Sequence, residues 1–173
     1  MSTMADHIPV VDTPRLRLRA PKLSDLDAMN AFYATARSHW VGGPLEPLAV
    51  HRSLLSVYGS WALRGHGLWY IADRDSDTFL GWTGIIFAPG WHEPELGWTV
   101  MPEAEGTGIA FEAAAAARRF AAQHLGHDGV ISYVDPANAR SAALAQRLGA
   151  TLEREDTFLD HDIHIYRHPK EPV

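Results

Sequence analysis

The chain has 173 residues, 46% of them hydrophobic and 21% charged, so the expectation is one soluble globular domain with a sizeable core. A formal net charge of −6 makes a nucleic-acid backbone a poor partner and suits a cationic amine or a basic peptide better. Cysteine is absent, which excludes disulfides, thiolate metal sites and a cysteine nucleophile.

The opening MSTMADHIPVVD lacks the charged and apolar blocks of a signal peptide. No apolar run approaches the ~20 residues that a membrane helix needs. A cytoplasmic protein with no membrane contact is the expectation.

Residues 1–13 read as a loose, flexible arm. RLRLRA at 15–20 alternates basic and apolar residues, the period of a half-buried strand, with Leu16 and Leu18 inward. Ser24 reads as a helix N-cap, with Asp27 three residues on. The helix that follows, to about residue 36, offers Leu26, Met29 and Tyr33 to the interior. SHWVGGPLEP, 38–47, is a loop that carries Trp40. A second helix is expected over 48–63, where Leu54, Tyr58 and Trp61 share a core-facing stripe.

From residue 68 the period becomes that of strands. LWYIAD and FLGWTGIIF form a hairpin around DRDSDT, and WHEP leads into the strand ELGWTVM. The next stretch, VMPEAEGTGIAFEAAAAARRF, reads as a strand end, a glycine loop and a helix. Gly106 and Gly108 admit backbone conformations that a Cβ hinders. They open a helix whose first N–H groups lack internal partners, and such a start attracts an anion, above all a phosphate. Ala113 to Ala117 give the helix a small-sided face that can lie close to a sheet or a cofactor. The loop is not a P-loop, because no Lys follows the second glycine, and EGTGIA does not complete GxGxxG. Taken alone, it also fits a plain strand-to-helix turn.

GHDG then turns the chain into the strand GVISYVD. PANARSAALAQRLGA is a short helix, with Asn138 as cap, Leu144 and Leu148 on one face and Gly149 at its end. Strands near 150–156 and 162–167 complete a single domain over 14–168, and 169–173 is a tail. The order βααβββαβαββ is that of a mixed α/β sheet with helices packed on it.

Three segments in this order carry a family resemblance: TPRLRLR at 13–19, ELGWTVMPEAEGTGIAFEA at 95–113 and DPANARSAALAQRLGA at 135–150. Over about 15–167 the chain resembles the GNAT N-acetyltransferases, most closely their RimJ/RimL-like ribosomal-protein N-terminal acetyltransferases. The resemblance implies an α/β (α+β) fold: a mostly antiparallel sheet of about seven strands with about four helices. It also implies acetyl-CoA as cosubstrate, its diphosphate on the N–H groups of Gly106, Thr107, Gly108, Ile109 and Ala110. The pantetheine arm then pairs like an added strand with Trp98 to Val100. Asn138 matches a position that contacts this arm, or serves as a helix cap alone. Three residues depart from the family pattern. Glu105 stands where Gln or Arg is usual, and a carboxylate there should point into solvent, away from the diphosphate. Ala150 replaces a closing Phe. Ala145 stands where many members place a tyrosine acid.

Acetyl transfer needs a base for the amine, a donor for the oxyanion and a proton for the leaving thiolate. A backbone N–H near Val100 or Met101 suits the oxyanion. Ser141, which matches the family serine, is the candidate acid; alternatively it bonds its own helix backbone. Glu95, where the family often keeps a Glu, is the candidate base, with Glu93 and His92 close in sequence. A carboxylate base suits an α-amine of pKa ~7.7–8.0 better than a lysine at ~10.4. Trp40 and Trp91, both in loops, are expected to wall the acceptor pocket, where a ring face can hold a cation. In HDIHIYRH, strand alternation points His161 and His164 to opposite faces, so no metal site is expected.

The acceptor classes that remain open are a protein N-terminus, a polyamine, an amino acid and an antibiotic, and a homodimer is allowed. One competing reading is a GNAT-like module that binds acyl-CoA without turnover, which Glu105 and Ala145 favour. Another is a nucleotide-binding α/β domain, which the missing Lys opposes.

Overall fold

The computed structural model describes residues 7–171. Among them are eight strands: β1 (Val11–Asp12), β2 (Leu16–Arg19), β3 (Leu68–Asp73), β4 (Phe79–Ile86), β5 (Glu95–Val100), β6 (Ile131–Val134), β7 (Thr151–Phe158) and β8 (His161–Arg167). Four α-helices join them: α1 (Leu26–Tyr33), α2 (Pro47–Arg64), α3 (Ile109–His124) and α4 (Ala139–Arg147). The strands form one sheet in the order β1-β2-β3-β4-β5-β6-β8-β7. Every neighbouring pair is antiparallel except β5 and β6. This is the expected mixed, mostly antiparallel α/β sheet, with one strand more than the seven anticipated.

The extra strand corrects the reading of a loose arm. Ile8 is buried in the core, the Trp69 indole N–H donates to the Pro9 carbonyl at 2.7 Å, and Val11 pairs with Leu18. Apolar burial and backbone pairing thus hold the chain from Ile8 onward; residues 1–6 of that arm lie outside the described residues. The tail is also docked as far as it is described. His168 is buried, and Glu171 pairs with Arg118 at 2.8 Å.

The expected N-cap at Ser24 is replaced by a 3-10 turn, Leu23–Asp25, ahead of α1. Its neighbour Asp25 is the residue that bonds. The Asp25 carboxylate accepts the Lys22 N–H at 2.8 Å and both terminal nitrogens of Arg19 at 2.9 Å. Burial of the Arg19 guanidinium draws the carboxylate inward, because a buried charge needs a partner. α2 starts with Pro47 in its first turn and ends at Gly65, at φ 71°, as such helices commonly do. Val50, Leu54, Val57 and Trp61 face the core, while Tyr58 is half-buried.

Two features position the site. First, α3 buries Ala113, Ala114, Ala117 and Ala121 completely, so small side chains bring it down close on β4 and β5. Second, the sheet opens. β5 and β6 pair only at Glu95 and Ile131, and beyond that point they diverge. On its other side β5 is paired along its length with β4. Gly81 makes that approach possible: at φ 140°, a Cβ there would sit 2.1 Å from the Thr99 carbonyl oxygen.

Candidate active site

The free edge of β5 has a defined chemistry. Met101 donates its N–H to the Leu80 carbonyl on the β4 side. Antiparallel alternation therefore aims the backbone groups of Thr99 and Gly97 at β4, and those of Leu96, Trp98 and Val100 at the opening. The Leu96 carbonyl is already occupied, by the Ser132 hydroxyl at 2.6 Å. Among the described residues, no strand pairs with Trp98 or Val100 on that side. The open segment thus begins at Trp98 and runs to the glycine loop.

The Leu96 cap is fixed from behind. Ser132 Oγ lies 2.9 Å from His168 Nε2, and Arg118 Nη1 lies 3.4 Å from His168 Nδ1. Burial, with Arg118 adding to it, pushes His168 down to about 4, so the ring is neutral at pH 7. Arg118 can only donate, so Nδ1 accepts and Nε2 carries the proton toward Ser132. The serine hydroxyl then has its own hydrogen free for Leu96. Sequence reasoning did not find this network, because its members lie far apart in the chain.

At the far end of β5 the chain makes a 3-10 turn, Pro102–Ala104, and enters the glycine loop. Gly106 and Gly108 both adopt the left-handed conformation, at φ 71° and 82°. Gly108 is the N-cap residue of α3. The Thr107 hydroxyl turns back to the Ala104 carbonyl at 2.6 Å. Among the described residues, no acceptor is found for the N–H groups of Gly106, Thr107, Gly108, Ile109 or Ala110. Five such donors at a helix start make the loop a candidate anion site by the physics of the helix terminus.

Charges around the loop follow a pattern that local spacing does not reveal. Arg15 donates to the Thr107 carbonyl at 3.0 Å and to Glu112 at 2.7 Å. Glu105, expected in solvent, is instead half-buried between two guanidinium groups, those of Arg37 and Arg140. Burial works against its charge, but the two arginines outweigh burial and hold its carboxyl below the usual range. Its negative charge is thereby more than balanced. Arg37 lies in the same 3-10 turn, Ala36–Val41, as Trp40, so the ion pair ties that turn to the loop. Trp40 is 41% exposed and stands edge-on to His39.

α4 begins beyond the wide end of the opening. Asn138 caps it, accepting the Ser141 N–H at 3.1 Å. Ser141 is half-buried, and Ala145 is fully buried in a small cluster with Val134, Ala150 and Tyr166, against which Trp98 packs. The small residues at 145 and 150 are thus packing residues.

Glu95 sits at the closed end of the opening, where β5 and β6 still pair. With a strand rise of about 3.3 Å per residue, it lies about 17 Å along β5 from Val100. It is buried, and burial raises its carboxyl to about 7. Two donors act in the opposite direction: the Trp91 indole N–H at 2.7 Å and the Tyr133 backbone N–H at 3.4 Å. Trp91, expected as a pocket wall, turns its N–H to Glu95 and packs edge-on against Phe158. Of the acidic neighbours weighed with it, Glu93 is held by Arg167 at 2.6 and 2.8 Å. His92 bonds the Tyr133 hydroxyl through its Nδ1 at 2.9 Å.

Residues 15–151 match the family model of the acetyltransferase (GNAT) domain, most of the chain. The chain belongs to the GNAT acetyltransferase family. Members of this family draw their acyl group from acetyl-CoA. A crystal structure of an acetyltransferase from Agrobacterium tumefaciens is 36% identical over 94% of this chain and 95% of that one, with a TM-score of 0.87. At the level of the fold, the chain also matches a RimL ribosomal L7/L12 α-N-protein acetyltransferase in complex with coenzyme A. That match is 17% identical over 94% and 98% of the two chains, with a TM-score of 0.75. A Salmonella typhimurium acetyltransferase that modifies the N-terminal serine of ribosomal protein L7/L12 matches with a TM-score of 0.79, 14% identical over 94% and 100%. Among the described residues, no helix is long and apolar enough to cross a membrane.

Proposed function

We propose that this protein transfers the acetyl group of acetyl-CoA to an amine, with a protein or peptide N-terminal α-amine as the favoured acceptor. The observation that carries this reading is Glu95: a buried carboxylate with no cationic partner among the described residues, at the closed end of an open strand edge that leads to the glycine loop. In this reading the cofactor diphosphate lies on the N–H groups of Gly106, Thr107, Gly108, Ile109 and Ala110, in a field set by Arg15, Arg37 and Arg140. The pantetheine arm pairs with Trp98 and Val100, beside Asn138. Of the two N–H groups expected to stabilise the oxyanion, that of Met101 is spent on the Leu80 carbonyl, so the role falls to Val100, whose N–H faces the opening.

Glu95 takes the proton of the attacking amine through a relay of waters along the opening, because about 17 Å of strand separate it from Val100. The amine nitrogen bonds to the thioester carbon, and the C–S bond breaks as the tetrahedral intermediate collapses. Ser141 donates a hydrogen bond to the departing sulfur. A base near 7 lies about one unit below an α-amine but more than three below a lysine, so the α-amine is the accessible substrate. Trp40, exposed on its turn, flanks the acceptor. The RimL-type proteins that share this fold are named for acting on such an α-amine, which supports the same choice.

The test is coenzyme A release with a thiol reagent over a panel of amines. Turnover is expected with N-terminal peptides and little with side-chain lysines. Saturable acetyl-CoA binding with no turnover on any amine would favour the alternative, an acyl-CoA sensor, for which Ala145 in place of a tyrosine acid is the supporting feature.

A further inference from the structure

We propose that Trp91 is a positioning residue for the Glu95 base, its indole N–H fixing the carboxylate in one orientation and keeping it ready to accept a proton. This rests on the acetyltransferase reading above. A buried carboxylate requires donors, and Glu95 has two. The Tyr133 backbone N–H is long, at 3.4 Å, whereas the Trp91 bond at 2.7 Å has the length of a charge-assisted one. Trp91 is therefore the principal donor.

The indole is itself held. Its edge packs on Phe158 with ring centroids 4.8 Å apart, and its backbone N–H closes a turn onto the Ala88 carbonyl at 3.0 Å. Phe158 also packs on Tyr133 at 4.7 Å, and the Tyr133 hydroxyl accepts the His92 N–H at 3.0 Å. Three separate segments thus frame one carboxylate: the loop before β5, β6 and the end of β7. The titratable and charged groups on these elements are His92 and Glu93 on the loop, Tyr133 on β6, and Glu153, Arg154, Glu155 and Asp156 on β7. Arg167 on β8 holds Glu93 away.

Burial raises Glu95 and the Trp91 bond lowers it, so loss of that bond raises it further. The base works deprotonated, and the rate climbs as pH rises through its pKa. Losing the donor therefore moves the acid limb of the rate profile to higher pH. A ring that only walled the pocket would change the acceptor KM and leave this limb in place.

The experiment measures kcat and kcat/KM against pH for wild type, Trp91→Phe and Glu95→Gln, with acetyl-CoA and an N-terminal peptide. Trp91→Phe is expected to shift the acid limb up by about one pH unit or more, since hydrogen bonds to a charged group are the stronger class. At pH 7 its kcat falls about tenfold and recovers at high pH, with the acetyl-CoA KM unchanged. An unmoved limb, or a uniform loss at every pH with a raised acceptor KM, overturns the proposal. Glu95→Gln separates the two readings. If Glu95→Gln is inactive and the Trp91→Phe limb does not move, only the positioning role falls. If Glu95→Gln retains full activity, the base assignment falls first. Should Trp91→Phe fail to fold, benzothienylalanine at position 91 keeps the fused rings and deletes the donor. A 13C titration of the Glu95 carboxyl then reads the same shift without turnover: upward supports the proposal, unchanged rejects it.

Discussion

Asp25, in the 3-10 turn ahead of α1, and Glu95, at the start of β5, are both buried carboxylates, yet they sit in opposite electrical surroundings. Asp25 faces the Arg19 guanidinium fork at 2.9 Å on both oxygens, with Asp77 closing the other side of the arginine at 2.8 Å. Glu95 has an indole N–H and a distant amide, and no cation. The first arrangement balances charge by geometry and locks a loop to a strand. The second leaves desolvation uncompensated, and the carboxyl rises to about 7. A buried acid with a cation is a structural part; one without a cation is available for proton transfer near neutral pH.

The sharpest way to break the comparison is Asp25→Ala. It leaves Arg19 buried with only Asp77, and removing one partner of a buried pair costs about 3 kcal/mol or more. Urea or thermal unfolding should show a large loss of stability, with whatever native protein remains keeping its acetyl-CoA affinity. Stability unchanged within error would mean that the pair is a surface-like contact.

Glu95→Gln should do the reverse. Activity is expected to fall about 10²- to 10³-fold, the usual yield of a general base. Stability should rise at high pH. A carboxyl at about 7 in the fold, against 4.5 in the unfolded chain, costs the native state about 3 kcal/mol above pH 7. Because the folded value is the higher one, the native state binds the proton more tightly, and this cost fades as pH falls from about 7 to 4.5. The melting temperature of Glu95→Gln should therefore exceed that of wild type at pH 8 and converge with it near pH 4.5. Parallel curves across that range would refute the assigned ionisation.

Gly108→Glu probes the other end of the site. Position 108 is left-handed, and a Cβ there comes within 3.4 Å of Arg15. The substitution adds about 1 kcal/mol of backbone strain and a negative charge where the diphosphate is proposed to lie. Acetyl-CoA affinity should drop by about tenfold to a hundredfold in calorimetry, with the circular dichroism spectrum preserved. Unaltered affinity would move the diphosphate elsewhere. The smallest effect is expected from Ser141→Ala: a few-fold fall in kcat with acetyl-CoA affinity intact. Equal turnover would remove the serine from the reaction.

Much of this was legible in the residues alone. The glycine loop was visible as a strand-to-helix junction, and both glycines take the left-handed conformation; taken alone it also fitted a plain turn, and the family resemblance made it a candidate anion site. The capping role of Asn138 was visible because helix caps are local. The partners of Glu105 were not. They come from residues 37 and 140, far away on either side, and their charges turn an apparent defect of the anion loop into a balanced one. The arm was misread for a related reason: a two-residue strand has no period to detect, and only its place beside β2 makes it a strand.

Period and local chemistry, set by neighbours in the chain, determined the elements and their order, and the family resemblance singled out Glu95, Ser141 and the loop as candidates. What only the folded chain decided is the environment of those groups. The single point of pairing between β5 and β6 leaves Trp98 and Val100 open, and the folding of three segments around Glu95 buries it without a cationic partner among the described residues. Desolvation and charge balance depend on distance in space, and a linear chain does not record which of its distant residues will meet.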